Sequence, residues 1–157
     1  MKIREIEASD NASLAKLIRT ILKGCGLDIP GTAYFDEGLD HLSDCYGDKD
    51  HRYYVLVDDE GTVAGGVGFS RLSFMEDTAE LQKLYLTDFL RDTGTGRMML
   101  DYIENSMRES GFKRSYLETH SSLKAAIRLY EKSGYKEIER PKEVVHSTMD
   151  RFFVKEL

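Results

Sequence analysis

Residues 89–99 read F-L-R-D-T-G-T-G-R-M-M, a basic residue and two glycines leading into an apolar run. Before them, Ala79 to Leu86 has the composition of a strand. After them, Met99, Leu100, Ile103 and Met107 recur every three to four residues until Gly111, which predicts an amphipathic helix over Gly96 to Ser110. The R-x-x-G-x-G segment is then the turn between a strand and a helix, where several backbone N–H groups have no partner inside the helix. Gly94 and Gly96 let the backbone approach an anion closely, and Arg91, Arg97 and the helix dipole add positive potential. Pyrophosphate binding is the physical prediction; an ordinary glycine-containing helix cap is the alternative.

Reading outward, Lys2 to Glu7 alternates as a strand does. Ser9 or Asp10 can cap a helix carrying Leu14, Leu17, Ile18, Ile21 and Leu22, which ends at the Gly24-Cys25-Gly26 break. A short helix is expected over Asp36 to Tyr46, with a loop before it. Tyr53 to Val57 and Val63 to Arg71 form a hairpin around Asp58-Asp59-Glu60-Gly61. Beyond the central helix, Arg114 to Thr119 is a strand. Leu123, Ala126, Ile127 and Tyr130 mark another helix stopped by Gly134, and Tyr135 to Glu139 and Thr148 to Lys155 are the last strands. The order β-α-α-β-β-β-α-β-α-β-β defines an α/β (α+β) fold on a mixed sheet, with a right-handed central β-α-β.

The chain has 157 residues, 41% of them hydrophobic, which is the size of one domain spanning 1–157 with a complete core. No repeat or low-complexity linker divides it. A net charge of −6 argues against a nucleic-acid partner held by excess Lys and Arg. No segment has the roughly 18 apolar residues of a membrane span, and the N-terminus lacks a signal peptide's apolar core, so no membrane partner and a cytoplasmic location are expected. Cys25 and Cys45 have neither C-x-x-C spacing nor paired histidines, so no metal is expected. His51, His120 and His146 also lack metal-ligand spacing, and His120 follows directly on the Leu117-Glu118-Thr119 strand end. The tract Asp36, Glu37, Asp40, Asp44, Asp48 and Asp50 reads as a solvated acidic face. Two other phosphate motifs fail: no Lys-Ser or Lys-Thr follows the glycines as in a P-loop, and the third glycine of G-x-G-x-x-G is absent.

The segment Leu84-Tyr85-Leu86-Thr87-Asp88-Phe89-Leu90-Arg91-Asp92-Thr93-Gly94-Thr95-Gly96 resembles the acetyl-CoA-binding segment of the GCN5-related N-acetyltransferases (GNAT). Downstream, Ala126-Ile127-Arg128-Leu129-Tyr130-Glu131-Lys132-Ser133-Gly134-Tyr135 is similar to a second stretch of that superfamily, A-x-x-L-Y-x-x-x-G-F/Y. The resemblance runs over essentially the whole chain, in outline only before residue 50. It implies a mixed, mostly antiparallel twisted sheet of about six to seven strands flanked by about four helices, two splayed central strands forming the acetyl-CoA cleft.

The resemblance also implies a reaction: an amine attacks the acetyl-CoA thioester directly, with no covalent enzyme intermediate. Backbone groups of Leu84, Tyr85 and Leu86 would pair with the pantetheine arm. Arg91, Asp92, Thr93, Gly94, Thr95, Gly96 and Arg97 would hold the pyrophosphate. Tyr130 would be the general acid that protonates the departing thiolate, although it equally fits the apolar stripe of its helix. Glu80 would be the base, directly or through a water, provided burial raises its pKa toward neutrality; otherwise it is an ordinary surface carboxylate.

Two residues depart from the family pattern. Asp92 stands where a Gly is usual, and Leu123 where many members carry a cofactor-contacting Asn, leaving Ser121 or Ser122 to supply that bond. The leading expectation is an N-acetyltransferase acting on a small-molecule, amino-acid or peptide amine, with a homodimer left open. One alternative is a catalytically silent acyl-CoA-binding sensor or interaction module. Another is a structural domain whose glycine turn binds nothing.

Overall fold

The computed structural model describes all residues from Met1 to Leu157. Its elements are β1 (Lys2–Glu5), α1 (Asn11–Gly24), β2 (His51–Val57), β3 (Val63–Arg71), β4 (Thr78–Leu86), α2 (Thr95–Glu109), β5 (Arg114–Thr119), α3 (Lys124–Lys132), β6 (Lys136–Ile138) and β7 (Arg151–Glu156). All seven strands join one sheet in the order β1-β2-β3-β4-β5-β7-β6. Every neighbouring pair is antiparallel except β4 and β5.

The sheet is covered on both faces, and β2 shows why its sequence is apolar without a break. Successive side chains of a strand point to opposite faces. Tyr54 and Leu56 join Phe69, Met99, Ile103 and Met107 beneath α2 and α3, whereas Tyr53, Val55 and Val57 join Leu14, Ile18 and Leu22 of α1. The buried stripe of α1 runs at a spacing of four residues, the helical period that brings one face to the sheet. Its entry is held by Asp10, whose carboxylate accepts two hydrogen bonds from the Arg4 guanidinium, at 2.8 and 2.9 Å, and one from the Glu7 amide at 2.8 Å.

The helix expected over Asp36 to Tyr46 is instead a 3-10 segment, Glu37–Cys45, kinked at His41. Its start is an Asx turn, with Asp36 accepting from the Gly38 amide at 2.9 Å. Gly38, Asp40, Ser43 and Asp44 lower α-helical propensity further. Leu39 and Leu42 still reach the α1 side of the core, which is the periodicity the sequence displays. A further 3-10 turn, Ala33–Phe35, lies in the stretch expected to be loop.

The β3–β4 pairing carries a bulge. Gly66 lies opposite Tyr85 and Gly68 opposite Gln82, so Lys83 and Leu84 share one partner position, and Lys83 takes a left-handed backbone with φ of +51°. The Tyr53 ring lies across the glycines of β3. A Cβ on Gly66 or Gly68 would come within 2.5 Å of that ring, so the G-G-V-G run is the groove that admits it.

Candidate active site

The cleft follows from the sheet's one parallel pair. β4 and β5 are joined only from Thr78↔Arg114 to Glu80↔Tyr116. Beyond that point β4 stays with β3 as far as Leu86 and β5 stays with β7 as far as Thr119, so the two central strands part. The space between them has a volume of ≈ 1020 Å³, and its walls include Leu84, Tyr85 and Leu86 of β4, Leu117 and Thr119 of β5, and much of α3. Past Glu80 the cleft edge of β4 has no strand partner, the condition under which an extended ligand adds as another strand.

At one end of the cleft is the turn quoted at the outset. Asp92 and Gly94 both have left-handed backbones, with φ of +57° and +83°. The amides of Asp92, Thr93 and Gly94 donate to no carbonyl of the chain, and those of residues 95–97 form the open first turn of α2. Arg91, Asp92, Gly94, Gly96 and Arg97 line the cleft. Thr93 and Thr95 do not; their hydroxyls bond to each other, and Thr93 also donates to the Leu90 carbonyl. Arg91 and Arg97 are each engaged by a carboxylate, Asp88 at 3.2 Å and Asp101 at 2.9 Å. Gly96 is closely packed: a Cβ there would stand 3.1 Å from the Leu129 side chain of α3, which would have to shift by a few tenths of an ångström.

Three cations on the cleft wall escape a reading of motifs alone. Lys124, Arg128 and Lys132 lie at i, i+4 and i+8 on α3, one face of the helix, and that face lines the cleft. The helical spacing was the available signal.

Tyr130 lies on α3, 6% exposed, with Tyr135 and Phe153 against its ring. It also lines the cleft, and its hydroxyl bonds to no group of the protein. Burial, with a smaller contribution from Tyr85, pushes its phenol well above the ordinary value. Tyr85, across from it on β4, is pushed up to about 12 by burial and by Cys25. Tyr130 is therefore both core and cleft: the ring packs and the hydroxyl is left free.

Glu80 is on β4 at the last paired position before the strands part, and it lines the cleft. Burial raises its pKa; the amide of Gln82, donating to Oε1 at 2.6 Å, opposes that shift, and the Glu118 carboxylate on β5 reinforces it. Tyr116 of β5 donates to Glu118 at 2.9 Å. Glu80 is thus not an ordinary surface carboxylate.

The remaining candidates are drawn into structural roles. Asp40 pairs with Arg19 at 2.6 Å, Asp50 with Arg71 at 3.1 Å and Asp48 with His51 at 2.8 Å, so much of the acidic tract is consumed by local bonds. His120 bonds Ser122 through Nδ1 at 2.7 Å, with Asp150 3.9 Å from Nε2, and does not line the cleft. Of the two serines, Ser121 is committed to Asp150 while Ser122 lines the cleft. Leu123 packs against the α1 side of the core. Cys25 is half-buried on the cleft wall and Cys45 is exposed. No group of three or more His, Cys, Asp or Glu side chains could hold a metal ion, and no helix is long and apolar enough to cross a membrane.

A parted parallel pair followed by a glycine turn with unpaired amides can be set beside known proteins. Residues 16–135 match the family model of the Acetyltransferase (GNAT) family. The uncharacterized N-acetyltransferase YjgM of Escherichia coli (strain K12) is 38% identical over 139 residues, covering 87% of this chain and 83% of that protein. Among solved structures, a GNAT-family acetyltransferase from Staphylococcus aureus Mu50 superposes with a TM-score of 0.87 at 21% identity, covering 99% of this chain and 98% of that one. PaiA N-acetyltransferase from Thermoplasma acidophilum, solved in complex with coenzyme A, has a TM-score of 0.76 at 18% identity, with 99% and 98% covered. The chain belongs to the GNAT family and is an N-acetyltransferase.

Proposed function

We propose that residues 1–157 act as a single catalytic domain, in the cytoplasm, transferring an acetyl group from acetyl-CoA to a primary amine of a small molecule, amino acid or peptide by direct attack in a ternary complex. The observation that carries the reading is the juxtaposition, in one cleft, of unpaired amides at residues 92–94, an unpartnered strand edge on β4 and a free Tyr130 hydroxyl.

These features fit acetyl-CoA. Amides of residues 92–97 would hold its pyrophosphate, with Arg91, Arg97 and the three cations of α3 neutralising charge, and the edge of Leu84–Leu86 would receive the pantetheine arm. Bound there, acetyl-CoA supplies the activated acyl group. Glu80 accepts the proton that the substrate ammonium must lose before its amine can attack, directly or through a water, and its raised pKa suits it to a base working nearer neutrality. Tyr130 donates a proton to the departing thiolate, and burial keeps its phenol protonated throughout the working range.

The experiment is an amine-panel assay that follows release of the CoA thiol. Turnover with some amine, strongly reduced in Tyr130→Phe and in Glu80→Gln, is the expected result. Normal turnover in Tyr130→Phe would reject that residue as the acid.

A further inference from the structure

Gln82 stands two residues beyond Glu80 on β4, on the same face of the strand, and is half-buried. Its amide is the hub of a network drawn from three elements. Its carbonyl Oε1 accepts from the Tyr46 phenol, at the end of the 3-10 segment, at 2.6 Å, and from Ser70 of β3 at 3.1 Å. Its Nε2 donates to Glu80 Oε1 at 2.6 Å. A flipped amide would set a carbonyl against the carboxylate and face two hydroxyl donors with N–H groups. The two donors on Oε1 therefore dictate that the N–H faces Glu80.

We propose that Gln82 is the positioning residue for Glu80: locked by Tyr46 and Ser70, it aims the carboxylate at the cleft and favours its ionised form. The inference rests on the reading of Glu80 as the base. The groups facing Glu80 are Glu118 and Tyr116 from β5, Lys83 from β4, and Tyr46. Burial and Glu118 oppose ionisation, whereas Gln82 and, more weakly, Lys83 favour it. Tyr46, itself pushed up by burial, remains a donor across the neutral range, so the lock does not titrate with the base. A carboxylate in this position would otherwise stay protonated to higher pH, because a hydrogen bond to the charged form is what offsets desolvation.

The test compares wild type, Gln82→Met, Tyr46→Phe and Glu80→Gln by the pH dependence of kcat/KM, together with a ¹³C-carboxyl NMR titration of Glu80 in the ligand-free protein. Gln82→Met keeps the length of the side chain and deletes the donor. It is expected to lower kcat/KM about tenfold on the acid limb while converging with wild type at high pH, and to move the Glu80 titration midpoint upward. Tyr46→Phe, which keeps the ring, is expected to move both in the same direction by less. An equal loss at every pH with an unmoved NMR midpoint in both variants would overturn the proposal. Unchanged rates and an unchanged pH profile in Glu80→Gln would remove the base reading, and the NMR midpoint would then decide Gln82's hold on Glu80 by itself.

Discussion

The Tyr53 hydroxyl donates to the main-chain carbonyl of Lys83 at 2.9 Å. Tyr53 belongs to β2 and Lys83 to β4, so the bond crosses the intervening β3, passing over Gly66 and Gly68, to satisfy the bulged residue. The bulge lies just past Glu80, where the pairing of β4 with β5 ends, and Tyr53, two strands away on β2, ties it down beside the cleft.

This relationship predicts that Tyr53→Phe loses about 1 kcal/mol of stability, since a part-buried carbonyl is left without its donor. Weaker acetyl-CoA binding should accompany it as the bulge relaxes. Gly68→Ala should cost more, about 2 kcal/mol or above, because its Cβ would sit 2.5 Å from the Tyr53 ring and 2.7 Å from the Arg52 carbonyl oxygen, which cannot move aside cheaply. Urea denaturation and acetyl-CoA titration check both; an unaltered Gly68→Ala variant would contradict the packing argument.

Asp92 holds a left-handed φ of +57°, costing about 1–2 kcal/mol that glycine would not incur, and it brings a negative charge to the turn proposed to hold the pyrophosphate. Asp92→Gly should bind acetyl-CoA about threefold or more tightly, the gain shrinking as salt is raised. Folding stability should change little, because glycine's extra freedom in the unfolded chain offsets the relieved strain. Weaker binding in the variant would mean that Asp92 serves the site.

Replacing Lys124, Arg128 and Lys132 together by Ala should raise the KM for acetyl-CoA about tenfold at low ionic strength and leave kcat nearly unchanged. Lining the cleft from one face of α3, these side chains would supply charge to the cofactor's phosphates rather than groups to the proposed acid and base. Assays across a salt series would show the difference narrowing. A fall in kcat at fixed KM would place them elsewhere.

Tyr130→Phe removes a hydroxyl that bonds to nothing in the protein, so its melting temperature should match wild type. Its kcat should fall by about 10²–10⁴, the range for loss of a positioned proton donor. Because burial raises the Tyr130 phenol above its ordinary value, an alkaline fall in rate near or below pH 10 must come from another group. Loss of stability with intact kcat would make Tyr130 a core residue only.

Much of the architecture was legible because period and punctuation agreed with burial. β3 and β5 occupy Val63–Arg71 and Arg114–Thr119, the ranges that alternation and glycine boundaries predict, and α2 is shifted by one residue from Gly96 to Ser110. The parting of β4 from β5 was not legible in periodicity, since it depends on which strands pair and came only with the family resemblance. The bulge was hidden for a different reason: G-G-V-G reads as a weak strand until the Tyr53 ring is placed over it. Glu80 and Tyr130 could be nominated from motif position, but their burial, the free Tyr130 hydroxyl and the Gln82 amide are tertiary facts. The acidic tract shows the reverse case: it reads as one solvated face, yet Asp40, Asp50 and Asp48 are drawn into pairs with Arg19, Arg71 and His51.

The central claim is that acetyl-CoA occupies the parting of β4 and β5 with its pyrophosphate on the amides of residues 92–97. Calorimetric titration of acetyl-CoA into wild type and a Gly94→Val variant tests it most directly, since a branched side chain at φ +83° distorts the turn while leaving the cleft walls in place. One-to-one binding by wild type, weakened at least tenfold in the variant, is the predicted result. No heat from wild type at millimolar acetyl-CoA, or equal affinity in the two proteins, would contradict it.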